Sequence, residues 1–301
     1  MKESKLGAYL ALIARSLIYG MSFYFTGSLL KSADVFEVLA LRFLLSAIVF
    51  SLLVLFKVVK VNYKGKRLLP LVYVMIFEPI GCFIFETLGL VGTTTSVAGL
   101  LNSLGPALVI IFEMIILRET TTKGQKILVA LRIMGGLIIV TNAGSTQSNT
   151  FMGVIFIILS VFAGVFFFIF SRKASKDFTA MEITYAMTMV GAVVFNTINI
   201  IRHLSANTMS SYFEPLLNRE NIIGFVFLSI FCSIFATFFN NYSLGKLQAS
   251  FVSAFGGLST VVTVVAGAWL NKEVLFWYHY VSVTLVIISS FALVYVEEKK
   301  R

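Results

Sequence analysis

Ten apolar stretches dominate the chain, at residues 6–30, 35–56, 68–91, 96–117, 126–142, 151–170, 180–201, 222–242, 249–270 and 274–296. Each approaches or exceeds the roughly 20 apolar residues that a helix needs to cross the hydrocarbon of a bilayer. In that medium a backbone must satisfy its own hydrogen bonds, which leaves helices or a closed barrel. Barrel strands would alternate polar and apolar residues in segments of about ten, and these stretches do not alternate. Only 13% of the residues are charged, about half of the roughly 25% found in soluble domains. So little charge cannot cover a water-facing surface, which excludes a soluble enzyme. The sequence predicts an all-α integral membrane protein with ten transmembrane helices. The first apolar run is too long for the core of a cleaved signal and reads as the first span.

Loop charges fix the expected orientation. Of 24 Lys and Arg, 17 fall on the face that carries the N-terminus, 4 on the other and 3 within spans. The positive-inside rule then puts both termini in the cytoplasm of a multi-pass plasma-membrane protein. The net charge of +10 belongs to these loops, so no nucleic acid is expected as a partner. Cys82 and Cys232 lie in apolar runs and read as reduced core residues. With two histidines in the chain, no metal or other cofactor is expected.

The uncharged connection at 142–150 divides the spans five and five. An odd number per half means that related halves are inverted in the membrane. Shifting the chain by 154 residues places Ser96 on Ser250, Leu104 on Leu258 and Arg118-Glu119 on Lys272-Glu273. The basic-Glu pair recurs between the fourth and fifth spans of each half. The expectation is two inverted five-helix repeats, 1–145 and 146–301, around a central cavity.

The stretch SVAGLLNSLGPALVIIFEMIILRE at 96–119, followed by GQKILVALRIMGGLIIV, resembles the end of an EamA-type domain of the drug/metabolite transporter superfamily. VFEVLALRFLLSA at 35–47 resembles that family's second span, including its arginine, here Arg42. The second copy, LQASFVSAFGGLSTVVTVVAGAWLNKE, keeps the glutamate but has Thr260 where Pro106 would repeat, and Met187 stands near the second position of Arg42. The resemblance covers essentially the whole chain. It implies a ten-helix carrier of small metabolites without naming the substrate, and export more often than uptake.

Ionisable residues inside a bilayer are costly unless paired or hydrated, so each is a functional candidate. Here they are Arg15, Arg42, Glu78, Glu86, Glu113 and Arg132. Helical spacing groups Arg15, Tyr19, Ser22 and Thr26 on one face of the first span, and Glu78, Cys82 and Glu86 on one face of the third. The fourth span aligns Gly99, Asn102, Pro106 and Glu113; the eighth aligns Ser229, Ser233, Thr237 and Asn240. These stripes predict a cavity walled by spans one, three, four, six, eight and nine. Arg15 and Glu78 lie at similar depth, as do Arg42 and Glu86, and are expected to face one another. The expected substrate-binding set is Arg15, Tyr19, Glu78, Glu86, Asn102, Asn240 and Asn241, with Tyr19, Phe23, Phe83, Phe167 and Phe239 as apolar walls. Glu113 and Arg132 flank one inner turn and are expected to form a structural ion pair. Glu119 and Glu273 are expected to cap the helices that follow them, and Trp269, Trp277, Tyr278 and Tyr280 to form an outer aromatic belt.

A cation and a carboxylate at one depth suit a zwitterion. The expected function is therefore a secondary active transporter, working by alternating access, that exports a small amino acid-like metabolite. A carboxylate in that site offers a place for a coupling proton. Import of a small amine, sugar or nucleoside is the other transport reading, and an intramembrane enzyme is the alternative of a different class. The chain offers no clustered His, Asp or Ser for catalysis, no GxxxxGK[ST] for ATP and no filter sequence for a channel. The expectation is a non-enzyme with a small-molecule substrate, protons and the lipid bilayer as partners.

Overall fold

A computed structural model describes residues 2–116, 122–143 and 149–299. Arg118, Glu119, the middle of the 142–150 connection and the last two basic residues lie outside them. Among the described residues the chain is helical and contains no strand. Nine helices among the described residues are long and apolar enough to cross a membrane: α1 (Leu6–Leu29), α2 (Val35–Leu55), α3 (Leu69–Val91), α4 (Thr95–Ile116), α5 (Gly124–Asn142), α6 (Phe151–Ala174), α7 (Ala180–Ala206), α8 (Arg219–Leu244) and α9 (Ala249–Leu270). A further helix, α10 (Trp277–Lys299), ends the chain; its apolar part is Trp277–Leu293. The segment between α7 and α8 folds into two short helical turns, Met209–Ser211 and Glu214–Leu217.

Local sequence explains the helix starts. Asp34 caps α2 and Glu37 reaches back to the Asp34 N–H, a capping box written as Asp-x-x-Glu. Thr179 and Glu182 repeat the device at α7. Thr94 accepts from Val97 N–H at the start of α4, and Thr150 accepts from Gly153 N–H at the start of α6.

Polar ties join the loops that strict up-and-down passage would bring to one face. On the N-terminal face, Lys66 Nζ pairs with Glu182 at 2.6 Å, and Arg172 donates to Leu244 O at 2.7 Å. On the opposite face, Arg202 pairs with Asp34 at 2.6 Å, and Thr94 N–H donates to Asn149 at 2.9 Å. His203 and Glu37 approach within 3.5 Å at the same corner, and His203 is buried there.

Packing crosses between the halves of the chain. α1 lies against α8 and α9, while α6 lies against α3 and α4. Three pairs occupy equivalent places in the two halves, and each pair packs together: α2 with α7, α4 with α9, and α5 with α10. Small residues permit the closest approaches, as in membrane helices generally. A Cβ on Gly153 of α6 would stand 2.5 Å from Gly92 O at the end of α3. The lipid-facing periphery is apolar, with Trp269, Trp277 and Tyr280 largely exposed. Tyr278, expected in that belt, is buried instead in the core with Leu90, Ile139 and Val264.

Candidate functional site

Four spans are irregular, and the sequence shows why in three of them. Pro106 has no N–H to donate, and α4 divides into Thr95–Asn102 and Gly105–Ile116. α9 divides at Phe255, just before Gly256-Gly257, into Ala249–Ala254 and Gly256–Leu270. In α3 the residue before Pro79 is driven out of the helical region; Glu78 is extended, at φ −144° and ψ 121°. α8 is π-helical over Phe227–Ala236, a geometry often found at functional sites.

Breaks at membrane depth free backbone carbonyls that need donors. Arg132 of α5 supplies them to both broken helices: its guanidinium donates to Ser103 O at 3.1 Å in α4, and to Ala254 O at 3.4 Å in α9. It also donates to Ser290 Oγ at 2.6 Å in α10. Arg15 donates to Val252 O and Ser16 to Phe255 O, completing the set at the α9 break.

This corrects the expected Glu113–Arg132 ion pair, which does not form. Arg132 is committed to carbonyls. The Glu113 carboxylate accepts instead from the Ala249 and Ser250 N–H groups, both at 3.1 Å, at the first turn of α9. Glu273 behaves alike at the other end of the same helix pair. It does not cap the helix that follows it; it accepts from Thr95 N–H at 2.8 Å and Ser96 N–H at 2.9 Å, at the first turn of α4.

The breaks surround one cavity of about 110 Å³, room for several waters or a small solute. Arg15, Tyr19, Glu78, Glu86 and Asn102 all line it. So five of the seven expected binding residues come together. The walls are α1, α3, α4, α6 and α9; α8 stands one layer behind. It reaches the wall through Thr237, hydrogen-bonded to Tyr19 at 3.0 Å, while its Ser233 accepts from Arg42 Nε of α2 at 2.9 Å. The eighth-span stripe is therefore a support rather than a wall.

Asn240 and Asn241 do not line the cavity. Asn241 accepts from Ser171 at 2.8 Å and donates to Thr184 at 3.1 Å, tying α8 to α6 and α7. Asn240 is buried beside it. Among the expected aromatics, Tyr19, Phe23 and Phe83 line the cavity, whereas Phe167 faces the α3–α6–α7 core. Phe168 takes its place, and Phe239 is not on the wall. Helical spacing could not separate Phe167 from Phe168, because that stretch reads Val-Phe-Phe-Phe-Ile-Phe with no polar residue to mark a face.

Charge gathers around the cavity: Arg15, Glu78 and Glu86 line it, and Arg42 of α2 stands off the lining, against the ring of Phe83. Arg15, Arg42, Glu78 and Glu86 are each between 2 and 9% exposed. Both carboxylates belong to α3, which packs with α6. Arg15 belongs to α1, which packs with α8 and α9, and Arg42 is held to α8 through Ser233. Among the described residues no direct ion pair joins these four groups; the salt bridges lie elsewhere. The arginines are steadied by aromatic faces. The Arg15 guanidinium lies 5.4 Å from the ring centres of both Tyr19 and Phe168, and that of Arg42 lies 4.3 Å from Phe83.

Comparison with known proteins agrees with this architecture. The model of the EamA-like transporter family matches twice, at residues 6–141 and 151–295. The uncharacterized transporter YcxC of Bacillus subtilis is 32% identical over 96% of this chain and 93% of its own length. An uncharacterized transporter of Archaeoglobus fulgidus is 26% identical over 78% of this chain and 79% of its own. A solved crystal structure shares the fold with a TM-score of 0.66, covering 98% of both chains at 16% identity. Two family matches in tandem, on a chain of apolar helices broken around a charged cavity, make this a multi-pass membrane transporter belonging to the EamA-like transporter family.

Proposed function

We propose that the chain is a secondary carrier that exports a small, amino acid-like zwitterion across the plasma membrane by alternating access. One observation supports the substrate class: Arg15 on one wall of the cavity and Glu78 and Glu86 on another, all three buried without closing on each other. A buried charge without a partner is costly. A solute bearing both signs, its carboxylate toward Arg15 and its ammonium toward Glu78 and Glu86, satisfies both walls together. Asn102, open to the cavity, adds a donor and an acceptor.

The same reading takes α10 as a tenth span, both termini as cytoplasmic, and residues 1–145 and 146–301 as inverted five-helix repeats. The tandem family match and the equivalent pairs α2–α7, α4–α9 and α5–α10 support it. So do the contacts of α4 with α9, which join Glu113 to Ala249 at one end and Thr95 to Glu273 at the other, an antiparallel arrangement. The moving bodies are then not the two halves of the chain. α1 travels with α8 and α9, and α6 with α3 and α4. A proton is the proposed coupling ion, bound at the α3 carboxylates when the ammonium group has left.

Counterflow in proteoliposomes tests this. Zwitterionic amino acids should exchange, while their methyl esters and N-acetyl derivatives should not. Arg15→Gln should lower zwitterion exchange about 10- to 150-fold, the loss of a charged hydrogen bond of about 1.5–3 kcal/mol. An imposed pH gradient should accelerate flux in the parent protein and not in Glu78→Gln. Equal exchange of singly charged analogues, or unchanged kinetics in Arg15→Gln, would overturn the substrate assignment.

A further inference from the structure

The α4–α9 pair is fastened at both ends by one device delivered along two routes. On the N-terminal face, Glu113 of α4 holds two N–H groups of the first turn of α9. On the opposite face, Glu273, just beyond α9, holds two N–H groups of the first turn of α4. The 154-residue shift places Gly267 on Glu113. A Cβ at Gly267 would stand 2.6 Å from a Glu273 carboxylate oxygen and 2.5 Å from Ser96 Oγ. The second half therefore lacks a side chain where the first half has its carboxylate, and Glu273 folds back into the space left.

Each tie joins the two bodies that flank the cavity, because α4 packs with α6 and α9 packs with α1. We infer that Glu113 and Glu273 are positioning residues that decide to which face the cavity opens. Parting the helix pair at one face requires the tie at that face to release two charge-assisted hydrogen bonds, while the other tie remains as the fulcrum. This inference rests on the alternating-access reading above. It adds that the barrier at each face is set by one carboxylate that never touches the solute.

The native Cys82, which lines the cavity, reports accessibility without any substrate. In a Cys232→Ala background, its labelling rate by a membrane-impermeant maleimide is measured in vesicles of both orientations. Glu273→Gln should raise labelling from the face opposite the N-terminus roughly tenfold, equivalent to about 1.4 kcal/mol of lost tie, and leave the other face unchanged. Glu113→Gln should do the reverse. Gly267→Ala, which keeps the carboxylate but displaces it, should reproduce Glu273→Gln and guards against a folding defect peculiar to the charge change. Rates that stay constant, or that rise together on both faces in every variant, would overturn the inference. Counterflow on the same vesicles separates the two readings. Side-selective labelling without exchange would leave the ties standing and remove the carrier, whereas exchange with unselective labelling would do the opposite.

Discussion

Gly99 offers a quantitative test of how α9 is held against its neighbours. A Cβ at Gly99 would fall 2.6 Å from Thr263 Cγ2 and 2.9 Å from Thr263 Cβ. Thr263 has little freedom to withdraw. It is buried, and its hydroxyl engages Gly20 O and Ser259 O, both at 2.9 Å, so the same side chain also fixes α1 to α9. Gly99→Ala therefore overpacks a three-helix contact and should destabilise the protein by about 1–3 kcal/mol. Thr263→Ser removes the methyl group that makes the nearest clash but keeps the hydroxyl. Alone it should cost about 0.8 kcal/mol, one buried methyl equivalent. Together the two changes should be less harmful than their sum by about 1 kcal/mol, beyond the roughly 0.3–0.5 kcal/mol scatter of independent sites. Equilibrium unfolding in mixed detergent micelles gives all four corners of the cycle. Additive losses, or a Gly99→Ala protein as stable as the parent, would refute the contact as the reason for glycine there.

Two further outcomes follow from the corner ties and the α3 break. Burial acts to raise the Asp34 carboxyl, but hydrogen bonds from Arg202 and from the Glu37 and Phe36 N–H groups outweigh it and hold the carboxyl below its ordinary value. Its contribution to stability is therefore present above the unfolded carboxyl value, near 3.9, and lost as pH falls through the lower folded value. Because the pair is 43% exposed on each side, the loss should be well under about 1 kcal/mol, read as a melting temperature that falls on acidification in the parent and less in Arg202→Gln. Pro79→Ala should let α3 close through Glu78 and turn its carboxylate from the cavity, so that zwitterion counterflow falls while the melting temperature does not. Retained flux in a folded Pro79→Ala protein would separate the break from the site.

Much of the architecture was legible because hydrocarbon leaves a backbone few options. Apolar run length gave the helices, and the runs beginning at 35 and 180 start where α2 and α7 do. Helical spacing brought Arg15, Tyr19, Glu78, Glu86 and Asn102 to one cavity because each stripe stands out against apolar neighbours. It failed where the partner of a polar side chain is backbone. Nothing in the order of residues says that Arg132 serves carbonyls freed at Ser103 and Ala254, since those carbonyls become available only when α4 and α9 break side by side. Glu273 departs from its expected capping role for a related reason. A carboxylate beside a helix start in sequence is the ordinary cap, whereas here the helix start lies 177 residues away. Asn240 belongs to the stripe on α8 and Asn241 follows it, but both lie off the cavity lining, and spacing along one helix carries no information about which layer that helix occupies.

The exchange of α1 and α6 between the halves gives the charge pattern its mechanical meaning. Had each half kept its own first helix, Arg15 would lie in the body that carries Glu78 and Glu86, and a solute bridging them would bind without drawing the walls together. With α1 packed on α8 and α9 and α3 packed on α6, the cation and the carboxylates belong to opposite bodies of the proposed carrier. In the proposed carrier a bound zwitterion therefore adds attraction across the gap that must close, whereas a singly charged solute neutralises one wall and leaves the other with a buried charge facing it. Closure is favoured only when both signs arrive on one molecule. Arg42 extends this behind the lining: held by Ser233 and leaning on Phe83 of α3, it meets the carboxylate-bearing helix through an aromatic face rather than an ion pair. In the proposed carrier that contact can slide as the two bodies rock, without first having to break a salt bridge.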